Sequence, residues 1–294
     1  MAVYAVAVWI LAGTVAHGWW LQLACFATSC YLMMMVNNVH ALIRIYSRMV
    51  SCAYMALTCT ACFLFPSLSG AAMQLCMTAF LLMWLTIYQD QEASGQCYYA
   101  FLFLGLASSV FVQVLWLLPL LWILMKMNLM ALSWRTWMAS VLGVLTPYWA
   151  WICWLLFQGD ATPMASHLAG LLPSTDIIGT PLTTLSVPQL LSFALTAGLT
   201  VTGTIHFLRN SSGDKIRIRM FFYTFMWLAL AGALYALLMP TLFDMSLRLL
   251  IICAAPLTGH FIALTHTKVT NIVFLVLTVV TLTITLLNIA LWTS

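Results

Sequence analysis

The chain has 294 residues, 64% of them hydrophobic and only 5% charged, whereas soluble proteins carry roughly 25% charged residues. Ten Lys and Arg with six Asp and Glu cannot cover a water-facing surface of this size, which excludes a soluble globular domain. The formal charge of +4 is spread over many short loops, as orientation in a bilayer requires, so it points to no nucleic-acid partner.

The reading is all-α: a polytopic transmembrane helical bundle. The first sixteen residues are apolar without a basic region, and no charged residue precedes Arg44, so the segment reads as a retained membrane helix and not as a cleaved signal. About eleven membrane segments are expected, near 2–16, 19–36, 49–65, 70–88, 98–110, 112–126, 137–157, 187–208, 218–239, 247–265 and 271–292. Charge, Pro and Gly set the breaks between them. Within 98–126 the pattern predicts two short paired helices joined near Ser108, Ser109 and Gln113. With that pairing, Arg44, Arg48, Lys126, Arg135, Arg209, Lys215, Arg217, Arg219 and Lys268 collect on one face and Arg248 alone on the other. Cytoplasmic loops concentrate Lys and Arg, which places the N-terminus inside, the C-terminus outside and the loop 158–186 outside. Trp19, Trp20, Trp134, Trp137, Trp149, Trp151 and Trp292 fall near segment ends, where amphipathic rings anchor at the interface.

Two connections have character. Residues 37–48 space Val39, Leu42, Ile43 and Tyr46 at helical intervals, with Arg44 and Arg48 four apart, and read as an interfacial amphipathic helix whose cations can meet an anionic lipid headgroup. The outer loop 158–186 holds Asp160, His167 and Asp176 as its titratable groups, with a short apolar helix expected at Met164 to Leu172. That loop divides the chain into an N-terminal region, 1–157, and a C-terminal four-helix region, 187–294.

Polar groups at membrane depth are few, and each is a site candidate. His260 lies inside the tenth segment after Pro256, where a proline kink frees a carbonyl that a neutral imidazole can reach. Asp244 and Arg248, four apart at the start of that segment, favour a local ion pair; His260 and Asp244 are the polar groups expected to be buried. Arg248, the single outer cation, suits a phosphate, which a guanidinium grips through two parallel hydrogen bonds. Every Asp and Glu falls in or beside a loop, which argues against ion coupling. The nine cysteines lie mostly in apolar runs; Cys59 and Cys62 form a CxxC without a second ligand pair, so neither a metal nor any other cofactor is implied.

The run from Tyr99 to Trp151 resembles a family of multi-pass inner-membrane proteins of Bacteroidota that carries no established activity. The matching elements are GLAS at Gly105 to Ser108, W-R-x-W at Trp134 to Trp137 and G-x-L-T-P-Y at Gly143 to Tyr148, with Asn38, Arg44, Ser47 and Pro66 similar to earlier family positions. The N-terminal region is more distantly similar to the membrane core of C-type glycosyltransferases, which take a sugar from a polyprenyl phosphate. Those enzymes need an acidic residue in the first outer loop. The first acid here is Asp90, expected on the cytoplasmic side, so no carboxylate stands ready as base.

The resemblance implies a non-catalytic protein that binds membrane lipid, such as a polyprenyl phosphate, or joins a membrane-protein partner in envelope glycan or secretion machinery. One alternative is an active glycosyltransferase with Asp160 or Asp176 as a relocated base; the other is a transporter or flippase. In a cysteine-accessibility scan, Asp160→Cys and Thr293→Cys are expected to react with an impermeant reagent added outside, and Asp214→Cys and Lys268→Cys, on the cytoplasmic side, only after permeabilisation; outer labelling of Asp214→Cys overturns the orientation.

Overall fold

The computed structural model describes residues 1–159, 162–171, 185–264 and 268–293. All regular structure among them is helical. The helices are α1 (Ala2–Leu11), α2 (Thr14–His17), α3 (Trp20–His40), α4 (Met49–Thr60), α5 (Leu68–Trp84), α6 (Ser94–Val110), α7 (Leu118–Met127), α8 (Trp134–Gln158), α9 (Thr162–Ala169), α10 (Val187–Asn210), α11 (Ile216–Leu238), α12 (Phe243–Leu264) and α13 (Lys268–Thr293). Seven apolar stretches among the described residues are long enough to cross a membrane: Trp20–His40, Leu68–Ile87, Trp134–Gln158, Val187–Gly213, Ile216–Leu238, Pro240–Leu264 and Asn271–Leu291. The other expected segments correspond to α1, α4, α6 and the apolar stretch Val112–Met127, which are shorter. The twelve residues of α4 rise only about 18 Å, against about 30 Å of hydrocarbon.

Two compact units form, one from Met1–Ala71 with Thr180–Ser294 and one from Ala72–Gly179. The first takes helices from both of the sequence regions 1–157 and 187–294, because α12 packs against α4 as well as against α10 and α11.

In the first unit α12 is the core. Every residue from Ser246 to His260 is buried, consistent with a helix apolar all round. Its neighbours approach through glycine. A Cβ on Gly203 of α10 would stand 2.8 Å from the Leu257 carbonyl oxygen, and one on Gly259 would stand 2.9 Å from Val50 Cα of α4. α4 stops at Ala61 (φ −100°, ψ 56°), and a 3-10 turn over Cys62–Leu64 leads on to α5. The Thr60 carbonyl, freed by that break, accepts from Asn288 Nδ2 at 2.6 Å and from Ser192 Oγ at 3.2 Å.

Residues 37–48 do not form the expected interfacial helix. α3 continues to His40, Ala41 turns left-handed (φ 49°, ψ 50°), and 42–48 is irregular. Leu42 and Ile43 are buried, and Asn37 Nδ2 donates to the Ser47 carbonyl at 2.8 Å. Of the four residues at helical spacing only Leu42 and Ile43 are buried, whereas Val39 and Tyr46 are exposed; two adjacent anchors and a side-chain bond across the segment hold a turn instead.

In the second unit the break within 98–126 falls at Phe111, whose extended backbone (φ −140°, ψ 93°) separates α6 from a 3-10 stretch over Val112–Leu117 and then α7. The glycines of the GLAS and G-x-L-T-P-Y elements are the contact between α6 and α8. A Cβ on Gly143 would lie 2.6 Å from the Tyr98 carbonyl oxygen, and one on Gly105 would lie 2.8 Å from that of Val144. Helix α9 folds onto the break: Gln113 Nε2 donates to the Gly170 carbonyl at 3.0 Å and Trp116 Nε1 to that of Leu171 at 3.1 Å. His167 Nε2 stands 3.0 Å from the Ser108 carbonyl, and Tyr148 donates to Ser108 Oγ at 2.9 Å.

Gly143→Ala is therefore expected to cost about 1–3 kcal/mol through backbone collision. Gly95→Ala, whose Cβ meets nothing within 4 Å, is expected to leave thermal unfolding in detergent unchanged or slightly raised; equal melting of the two variants sinks the close-packing account.

Candidate functional site

At one end of the first unit, four polar side chains distant in sequence meet. α10 ends at Asn210, a 3-10 turn over Ser211–Gly213 follows, and the extended Asp214 turns its carboxylate inward ahead of α11. Asp214 Oδ1 lies 2.9 Å from Arg44 Nε, and its Oδ2 lies 3.2 Å from His260 Nε2. The side chains of Asp214 and His260 are fully buried, whereas that of Arg44 is 42% exposed. Arg44 Nη1 also donates to the Gly213 carbonyl at 3.4 Å. The His260 ring is walled by Phe207 and Phe222, at centroid distances of 5.4 and 4.7 Å, and by His206 at 5.9 Å.

The chemistry follows from that geometry. A buried carboxylate is tolerable when compensated, and here a guanidinium supplies the charge while an imidazole N–H fills the second oxygen. His206 lies on α10 one turn before Asn210, whose Nδ2 stands 2.8 Å from His206 Nε2. Asp214 is the one acid in a strongly basic stretch that includes Arg209, Lys215, Arg217 and Arg219.

The kink at Pro256 does not hold His260; the carboxylate of Asp214 does. Asp244, expected to be buried, is exposed, and it accepts from Gln189 Nε2 at 2.9 Å. It stands in the first turn of α12, where the helix dipole favours an acid at the surface. Arg248 is only 3% exposed, and its Nη2 donates to the Leu64 carbonyl. A Cβ on Gly70 would lie 2.6 Å from its Nε, so the start of α5 is pared down to admit it. The guanidinium thus binds backbone at the α4–α5 break. Arg48 is exposed, precedes α4 and donates to Tyr46 Oη at 3.3 Å. Asp160 and Asp176 lie outside the described residues.

The reading from sequence missed Asp214 and His206. Asp214 was assigned to a cytoplasmic loop because cations surround it, and nothing local shows that the turn folds it inward. The available signal was its charge: a single acid amid four cations.

Beside this end, α1, α4, α12 and α13 enclose an apolar cavity of about 240 Å³, lined among others by Tyr4, Met49, Cys52, Ala56, Ile262 and Phe274. Comparison with protein-family models, with curated proteins and with solved structures finds no match for this chain.

His260→Leu leaves Asp214 with one partner and is expected to lower stability by about 3 kcal/mol. His260→Gln, which keeps an N–H donor, is expected to lose less than half of that; equal melting of the two in detergent means that the imidazole N–H does not support the carboxylate.

Proposed function

We propose that the chain is a non-catalytic, multi-pass inner-membrane protein, N-terminus cytoplasmic, that holds an anionic lipid at the Arg44 and Arg48 end of its first unit. Its eleven apolar segments include four that are short or paired and lie within the membrane without each crossing it alone. A phospholipid and a polyprenyl phosphate share the chemistry required, a phosphate on an apolar tail. The observation that carries the reading is the position of the apolar cavity. Met49, which lines it, directly follows the exposed Arg48, so a tail in the cavity leaves its headgroup beside a cation. Each cation near an anionic headgroup contributes about 1 kcal/mol.

Mass spectrometry of lipid co-purified with wild type, Arg48→Gln and Ala56→Phe tests this. Wild type is expected to retain an anionic lipid that both variants lose, one by lacking the charge and the other by filling the cavity. Equal retention by all three overturns the reading, and the identity of the retained lipid separates phospholipid from polyprenyl phosphate.

A second reading, transport or lipid flipping, is favoured by the burial of Asp214 against His260. Buried carboxylates and imidazoles are the usual apparatus of coupled transport, and the objection that every acid sits in a loop loses its force for Asp214. Flux into proteoliposomes distinguishes this reading from static lipid binding.

A further inference from the structure

The two imidazoles beside Asp214 are left with complementary unused nitrogens. Asn210 presents its amide nitrogen to His206 Nε2, so that nitrogen accepts, and the proton of a neutral His206 sits on Nδ1. Among the described residues His206 Nδ1 is buried with no hydrogen-bond partner. On His260 the order is reversed: Nε2 faces the carboxylate of Asp214 and carries the proton, so Nδ1 is the acceptor. It too is buried and without a partner among the described residues. One orphan donor and one orphan acceptor therefore lie on neighbouring rings, their centroids 5.9 Å apart, and a water between the two nitrogens would satisfy both. Buried polar atoms are rarely left unsatisfied, and a pair of opposite sense in neighbouring rings calls for an explanation.

We infer that His206, His260 and Asp214 form a proton-binding relay, with Asp214 as its inner terminus and the proton as its ligand. A proton arriving at His206 Nε2 displaces the Asn210 contact, and His206 passes its Nδ1 proton through the bridging water to His260 Nδ1. His260 then gives its Nε2 proton to Asp214 Oδ2. Each imidazole takes one proton and releases one, so both end neutral, with their tautomers exchanged, and the carboxylate becomes a carboxylic acid. Arg44 loses its counter-charge in that step, which makes the irregular segment 42–48 the element that responds.

The charged and titratable groups acting on His260 are Asp214 from the α10–α11 turn, His206 from α10 and Arg44 from the 42–48 segment. α11 contributes the ring of Phe222, and α4 contributes backbone at Met49 and Val50 against Gly259. Arg44 is the only fixed charge in the set.

The inference goes beyond lipid binding and is tested without any added lipid ligand, on the full chain in zwitterionic nanodiscs. Proton uptake after a rapid pH drop is followed with an indicator dye. Asp214→Asn is expected to take up one proton fewer than wild type. His206→Phe, which preserves ring packing, is expected to take up the wild-type number at least about tenfold more slowly. Equal rates for wild type and His206→Phe, or an equal proton count in wild type and Asp214→Asn, overturn the relay. A second measurement needs no folded variant of the inner residues: nitrogen NMR of histidine-labelled wild type from about pH 5 to about pH 8. The protonated nitrogen of His260 is expected to change from Nε2 to Nδ1 as Asp214 gains its proton; an unchanged His260 tautomer across that range overturns the proposal.

Discussion

The structure of the first unit depends on the uninterrupted burial of α12. From Ser246 to His260 no residue reaches the surface, yet that stretch carries an arginine and a histidine. Each must find its partner inside the protein, since a buried charge without one costs several kcal/mol. Arg248 finds the Leu64 carbonyl, and His260 finds Asp214. These two requirements fix features far from α12 in sequence. α4 must end before Leu64 so that a carbonyl is free of helix bonding, and the α10–α11 turn must fold its acid inward.

Interrupted helices recur in both units, and they do the same physical work. A break at Ala61 exposes carbonyls that accept from Asn288, Ser192 and Arg248. At the break at Phe111 the Ser108 carbonyl meets His167 Nε2, while Gln113 and Trp116 reach the carbonyls that follow α9. In an apolar medium a freed backbone group must be satisfied by protein, so irregular backbone survives only where side chains converge on it. Glycine makes the convergence possible. At Gly143, Gly203 and Gly259 a single methyl group would meet the backbone of a neighbouring helix.

The polar end of the first unit has a different balance. Asp214 is divided between a permanent cation that is partly exposed and an imidazole whose proton can leave. Such a carboxylate changes its hydrogen-bond partner with little rearrangement of the helices, because the groups that exchange protons sit on α10, α12 and the turn between α10 and α11. Arg44, on the irregular segment between α3 and α4, is the member that reaches the surface. In the proposed lipid reading a phosphate at this end would compete with Asp214 for that guanidinium, so the two proposals meet at one residue.

Composition alone determined that the chain is apolar and helical, since 5% charged residues cannot clothe a soluble fold. Seven of the expected segments are helices long and apolar enough to cross a membrane among the described residues, and the break near Ser108 and Gln113 was legible too, because helices satisfy their hydrogen bonds locally and end where local chemistry changes. Residues 37–48 read as a helix because Val39, Leu42, Ile43 and Tyr46 repeat at helical spacing, yet only Leu42 and Ile43 are anchored in the fold. The site itself was not legible. Arg44, Asp214 and His260 are separated by 170 and 46 positions as they join, and hydropathy carries no record of which loop turns its one acid inward. Tertiary packing decided that pairing, because only in the assembled helices does a buried imidazole lack any closer partner for its N–H.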